Sequence, residues 1–93
     1  MTDGHYPETR IMLAVCDRFG VTLAELRSHS RNALLVRARH AAMWAIRHQT
    51  SLSYPQIGRL FDRHHTSVMH AVARIDGARR ANHQLNQLLE SIR

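Results

Sequence analysis

Lysine is missing from this sequence, although arginine occurs thirteen times among its 93 residues. Only seven acidic residues oppose those arginines, which leaves a formal net charge of +6 before any of the eight histidines is protonated. A high-GC genome, which encodes arginine in place of lysine, would explain the missing lysine. It explains the scarcity of acidic residues less well. A strongly basic balance favours a polyanionic partner, and nucleic acid is the most common one.

The sequence also has little cysteine and no long apolar run. Its single cysteine, Cys16, cannot form an internal disulfide, which suits a reducing compartment. No apolar run approaches the roughly 18 residues of a membrane span, and the first ten residues lack a secretory core. The length excludes a large enzyme with a separate nucleotide domain. We therefore expect one small domain, residues 1–93, in the cytoplasm and associated with the nucleoid.

The positive charge is concentrated in the middle of the chain. Ten arginines and only two aspartates lie between residues 27 and 80, a local balance of +8. Residues 1–26 carry four acids and two arginines, a balance of −2. A basic centre between neutral or acidic ends is the pattern expected of a nucleic-acid-binding surface.

Helical patterns occupy nearly the whole chain, and alternating strand patterns are almost absent. Thr22 with Glu25, and Ser53 with Gln56, form capping boxes, and Asn82 is a candidate cap for the last helix. Helices are predicted over about 7–19, 23–27, 33–48, 53–61, 65–77 and from about 83 onward, with residues 1–7 flexible. The predicted fold is all-α, a compact multi-helix domain.

Residues 53–77 carry the spacing of a helix-turn-helix. Ile57, Phe61, Val68 and Ala71 are apolar at relative positions 0, +4, +11 and +14, and Gly58 is the small residue at +1. A small residue there lets two helices pack closely at a steep angle. The second helix then presents its N-terminal, outward side to a major groove.

Several motifs in the same order resemble one known family. They read Thr50-Ser-Leu-Ser-Tyr-Pro-Gln-Ile-Gly58 and Arg63-His-His-Thr-Ser-Val-Met-His-Ala71, with upstream matches at Leu26, at Ser30-Arg31 and at Arg39-His-Ala-Ala-Met43. Over residues 8–92 the sequence resembles the C-terminal DNA-binding domain of DnaA, the bacterial chromosomal replication initiator. The resemblance implies a Trp-repressor-like helix-turn-helix that binds double-stranded DNA at a DnaA-box-like site, in replication initiation or its regulation.

The resemblance, together with the outward positions of the second helix, also suggests which residues contact DNA. The base-reading residues would be His64, His65, Thr66 and Ser67 in the major groove and Arg31 in the adjacent minor groove. The residues near the DNA backbone would be Arg39, His40, Tyr54, Pro55, Arg63, His70 and Arg74. If His40, His64 and His65 lie near phosphate, affinity should rise as the pH falls from about 8 to 6.

The sequence departs from the family pattern at three places. His64 replaces an aspartate, His40 replaces a common glutamine, and the turn Phe61-Asp62-Arg63 is one residue shorter than Phe-Gly-Gly-Arg. The target can therefore differ from the usual box. No G-x-x-x-x-G-K-[ST] phosphate loop is present, so no nucleotide cofactor and no ATPase activity are expected of these residues. The chain is either a fragment of an initiator or a stand-alone relative, and the initiating Met favours the second.

Other interpretations remain open. A helix-turn-helix transcription regulator would bind a different, palindromic site as a dimer, whereas we expect a monomer. A protein-interaction domain that has lost the DNA-binding face would show no salt-dependent DNA affinity. RNA binding lacks exposed aromatic residues between the basic ones. A metal site and an enzyme are disfavoured, because no H-E-x-x-H, no Cys/His ligand set and no paired carboxylates on one face occur.

Overall fold

The computed structural model of the chain describes residues 6–92, and all regular secondary structure in that range is helical. The helices of this range are α1 (Pro7–Phe19), α2 (Leu23–Leu26), α3 (Ala33–Gln49), α4 (Tyr54–Leu60), α5 (His65–Ala81) and α6 (His83–Glu90). The prediction of an all-α domain is confirmed. Within residues 6–92 no helix has the length and apolarity that crossing a membrane requires. The predicted flexible segment 1–7 lies outside the described residues, except for its last two.

Local sequence determines where most helices begin and end. Both capping boxes form: the Thr22 hydroxyl accepts from Glu25 N at 3.0 Å, and the Ser53 hydroxyl accepts from Gln56 N at 3.2 Å. α1 ends at Gly20, whose φ of 68° is left-handed and therefore favours glycine. These helix boundaries agree with the predicted ones within a residue or two.

The predicted end of α5 at Gly77 is wrong, because the helix continues to Ala81. Gly77 lies within a regular turn, and glycine in a helix costs only about 1 kcal/mol relative to alanine, which tertiary contacts offset. The helix ends instead at Asn82, whose side chain accepts from Leu85 N at 3.0 Å and so begins α6. The prediction of Asn82 as the α6 cap is confirmed.

The core lies along α3, which packs against α1 on one side and α5 on the other. α4 packs on α5, α6 packs on the later part of α5, and the short α2 contacts α1 and α3. Fully buried side chains come from each of the six helices or the turn that follows it, and they include Val15, Leu26, Ile46, Phe61, Val68 and Leu89. This packing places α4 and α5 as a pair on one side of α3.

A polar cluster lies where α3, α5 and α6 meet. The indole Nε1 of Trp44, a residue only 8% exposed, donates to Asp76 Oδ1 at 2.8 Å. His48 stacks on the same indole with ring centroids 4.3 Å apart, and the Arg79 guanidinium lies 5.3 Å from its centre. Trp44 therefore belongs to the core and has polar partners at its edge.

Candidate nucleic-acid interface

The turn between α4 and α5 is held by the backbone at Gly58. Arg63 N donates to Gly58 O at 2.8 Å, so the chain leaving the turn returns directly onto α4. A Cβ at Gly58 would overlap the carbonyl oxygen of Arg63 and lie 3.4 Å from its carbonyl carbon. The predicted role of Gly58 in close helix packing is therefore confirmed in atomic detail. Asp62 completes the turn with a φ of 54°, a conformation that glycine adopts more readily.

α5 buries one face against the core and exposes the opposite one. The buried residues are Val68, Ala71, Val72 and Ile75, as the apolar spacing predicted. The exposed residues among its first ten include Thr66, Ser67, Met69, His70 and Arg74. This helix therefore presents hydroxyl, imidazole and guanidinium groups to the exterior, which are suited to hydrogen bonding with base edges and phosphates.

His64 precedes this surface and caps α5. Its Nδ1 accepts from Thr66 N at 3.3 Å and lies 2.8 Å from Thr66 Oγ1. Because Nδ1 accepts a backbone N–H, the ring proton of the neutral imidazole is assigned to Nε2, which leaves Nε2–H as the donor of this exposed residue. The ring also packs against His65, with centroids 4.2 Å apart, and His65 is half-buried. The two imidazole rings therefore support each other at the start of α5.

Arg31 lies in the segment that joins α2 to α3 and is exposed. The next residue, Asn32, begins α3 by accepting from Leu34 N at 2.9 Å. Serine side chains organise the segment itself: Ser28 Oγ accepts from Ser30 N at 3.3 Å, and Ser30 Oγ accepts from Asn32 N at 3.1 Å. Arg31 is consequently presented from a loop of defined shape.

An open groove of about 330 Å³ connects Arg31 with α5. Its basic lining residues are the arginines Arg31, Arg37 and Arg74 together with His40, and no carboxylate lines it. Burial lowers the pKa of the His40 imidazole, and the charges of Arg74, Arg39 and Arg63 lower it further. The groove brings three of the predicted contact residues together and adds Arg37, which sequence reasoning missed. The three-residue spacing of Arg37 and His40 on α3 was the available signal.

Arg39 lies in the interior, although the resemblance suggested a position near the DNA backbone. Its side chain is 4% exposed, with Nε donating to Leu26 O at 3.0 Å and Nη2 to Ser30 O at 3.3 Å. Burial, followed by the charge of Arg63, lowers its pKa. A guanidinium can be buried here because two backbone carbonyls accept hydrogen bonds from it. Arg39 therefore bonds to backbone carbonyls inside the protein and is not part of an open cationic surface.

The remaining predicted backbone contacts occupy the start of α4 and the turn. Pro55 is exposed in the first turn of α4, and Tyr54 is half-buried with the Arg47 guanidinium 4.3 Å above its ring. Arg63 is half-buried and donates from Nη1 to Phe61 O at 3.0 Å. Their contact with DNA stays a prediction.

Two other candidate chemistries receive no support from the geometry. Burial raises the pKa of the Cys16 thiol, Glu25 adds to that effect and a backbone hydrogen bond opposes it, so the thiolate is disfavoured. Across residues 6–92, no three histidine, cysteine or acidic side chains are placed to hold a metal ion together.

Comparisons with known proteins point to the same part of the molecule. The sequence pattern of the family described as bacterial DnaA protein helix-turn-helix matches residues 9–75. The chain is 42% identical over 83 residues to the chromosomal replication initiator protein DnaA of Caulobacter sp. strain K31, which covers 88% of the chain and 17% of that protein. It is 41% identical to the DnaA proteins of Leptothrix cholodnii and Dechloromonas aromatica, covering 85% and 89% of the chain and 16% and 19% of those proteins. The chain spans about a sixth of the length of these relatives.

Proposed function

This chain belongs to the bacterial DnaA helix-turn-helix family, and from that premise we propose that it binds double-stranded DNA in a sequence-specific manner. α5 would enter the major groove by its N-terminal half, and Arg31 would enter the adjacent minor groove. The site would be DnaA-box-like, and the role would lie in replication initiation or its regulation, on the chromosome in the cytoplasm. The proposal assigns binding to these residues and no ATP hydrolysis.

One observation carries the proposal: hydrogen-bonding groups are exposed at the N-terminal half of α5, inside the part of the chain where the charge balance is +8. Thr66, Ser67 and His70 are exposed there, and Arg74 of the same helix lines the groove that leads to Arg31. Phosphate contacts from the arginines would fix the register of the protein on DNA, and the α5 groups would discriminate bases.

His64 suggests how the preferred sequence departs from the usual box. The family aspartate at this position accepts hydrogen bonds, whereas His64 uses Nδ1 as its own helix cap and offers Nε2–H as a donor. A donor matches the N7 and O6 of guanine or the O4 of thymine, and it does not match the amino group of cytosine. We therefore expect guanine or thymine where the family residue favours cytosine.

Selection of duplexes from a random pool tests the proposal directly. We expect one asymmetric site bound by one copy of the chain, with a log–log salt slope of roughly −5 to −7 for about five to eight phosphate contacts. Competition with a DnaA box then measures how far the site has diverged. A palindromic site bound by two copies would support the alternative, a helix-turn-helix regulator with a different target. Weak affinity with no salt slope would refute DNA binding altogether.

Two variants of Thr66 separate its methyl from its hydroxyl. Thr66→Val keeps a methyl that can contact thymine, and Thr66→Ser keeps the hydroxyl that lies near His64. If Thr66 reads a thymine methyl, Thr66→Ser should lose about fivefold in affinity for the selected duplex, within the range of a contact worth about 1 kcal/mol. Binding to random DNA should remain unchanged in both variants. An equal loss on random DNA would contradict a base-reading role.

A further inference from the structure

Residues 27–32, which we call the Arg31 loop, are held against α3 by Arg39. The guanidinium donates to Leu26 O at the end of α2 and to Ser30 O inside the loop. Because Arg39 is only 4% exposed, water competes poorly for these donors. Movement of the loop away from α3 would take the Ser30 O partner from a buried guanidinium, which is costly.

Arg63 connects the same loop to the turn between α4 and α5. Its Nη2 donates to Ser28 O at 3.2 Å, and its Nη1 donates to Phe61 O at 3.0 Å. One planar guanidinium therefore bridges the Arg31 loop and the turn between α4 and α5. Arg27 makes a third connection in the opposite direction, since its Nε donates to Leu60 O at 3.1 Å.

Three of the five carbonyls that accept from Arg27, Arg39 and Arg63 have a common origin. Leu26 O, Leu60 O and Phe61 O lie at the C-terminal ends of α2 and α4, where carbonyls lack helical N–H partners. Guanidinium groups satisfy them and add a favourable interaction with the helix dipoles. An exposed pair, His29 Nε2 and Asp62 Oδ2 at 3.3 Å, spans the same gap, but exposed pairs of this kind contribute little.

We propose that Arg39 and Arg63 are positioning residues that lock the Arg31 loop to the helix-turn-helix, so that Arg31 and α5 approach DNA in one fixed arrangement. The inference rests on the proposed DNA-binding function and deepens it. It differs from the role of a phosphate contact, because the groups that Arg39 and Arg63 hold are backbone carbonyls of the protein itself. The minor-groove contribution of Arg31 then depends on Arg63.

A double-mutant cycle measures that dependence. Arg63→Lys keeps the positive charge but loses the planar fork that reaches two carbonyls at once. In the otherwise unchanged chain, Arg31→Ala should weaken binding to the selected duplex with an A/T flank about tenfold, the equivalent of about 1.4 kcal/mol. In the Arg63→Lys background, Arg31→Ala should weaken binding to the same duplex less than about twofold, because Arg31 is already out of position.

Arg10→Lys is the matched control, since it makes the same substitution at an exposed residue of α1. In that background Arg31→Ala should keep its full tenfold effect. If Arg63→Lys binds as tightly as the unchanged chain, or leaves the effect of Arg31→Ala intact, Arg63 acts as a cation only and the inference is refuted.

Amide hydrogen exchange on the free protein supplies a readout that needs no DNA. Exchange of the Arg31 loop amides should accelerate at least tenfold in Arg63→Lys and in Arg39→Lys, while amides in the middle of α1 keep their rates. Unchanged loop exchange in Arg63→Lys, the half-buried and milder site, overturns the positioning role. If the unchanged chain binds no duplex, the proposed function fails, and the exchange rates still decide whether the arginines position the loop.

Discussion

Replacing Gly58 by alanine would place a Cβ against the backbone of the turn that the two DNA-facing helices share. The contact is with the carbonyl group of Arg63, whose oxygen the new Cβ would overlap. No side-chain rotation can relieve it, because both groups belong to rigid backbone, and Arg63 N is itself bonded to Gly58 O. The turn must therefore open for alanine to fit.

The magnitude follows from two opposing effects. Alanine favours a helix over glycine by up to about 1 kcal/mol, whereas overpacking of this kind costs about 1–3 kcal/mol. We expect Gly58→Ala to lower the free energy of unfolding by about 1–2 kcal/mol. For a domain of this size that corresponds to a fall in Tm of roughly 4–16 °C.

Gly77→Ala is the matched control, because nothing lies within 4 Å of a Cβ at Gly77 and its φ is ordinary. It should raise the free energy of unfolding by about 0.5–1 kcal/mol. Thermal and urea unfolding followed by circular dichroism measure both variants. If Gly58→Ala were as stable as Gly77→Ala, the turn would be soft and the argument for a fixed α4–α5 angle would be wrong.

Three further predictions concern the turn, the groove and the polar cluster. Asp62→Gly should raise the free energy of unfolding by about 0.5 kcal/mol in urea titrations by relieving a φ of 54°, while Asp62→Asn, equally tolerant of that conformation, should change it little. Burial and neighbouring arginines lower the pKa of His40, so the fold is unpenalised above pH 6.5 and loses stability as the pH falls below that value. The urea midpoint should therefore fall between pH 7.5 and pH 5.5, and His40→Gln should reduce that fall. Trp44→Phe should lower the free energy of unfolding by about 1–2 kcal/mol at pH 7, because it removes the 2.8 Å hydrogen bond to Asp76. Burial opposes ionisation of Asp76, but that hydrogen bond and others lower its pKa. The destabilisation should therefore be smaller in unfolding curves taken below pH 3.8.

Local rules predicted most helix boundaries because their determinants lie within a few residues. Thr22 and Glu25, or Ser53 and Gln56, form their bonds across a separation of three, and Asn82 caps the helix that it precedes. The end of α5 was mispredicted because the cost of Gly77 in a helix is small compared with the packing of α5 on α3 and α6.

The candidate site was predictable in its exposed part and not in its buried part. Thr66, Ser67 and His70 follow from the periodicity of α5, which fixes the outward face. The interior position of Arg39 depends on carbonyls 9 and 13 residues away in the sequence. The half-buried Arg63 donates to Ser28 O, 35 residues away. No periodicity encodes such contacts, and arginine is rarely buried, so pattern reasoning assigned Arg39 to the surface.

Trp44 is the sequence's single tryptophan, and it lies among His48, Asp76 and Arg79, none of which is proposed to contact DNA. Its fluorescence therefore originates from one known place in the interior. Thr66 and Asp76 are ten residues apart on α5, or about 15 Å along the helix axis. An emission spectrum that stays constant during DNA titration would mean that α5 docks as a rigid helix. A shift would mean that DNA contact at the start of α5 changes the surroundings of Trp44 further along the helix.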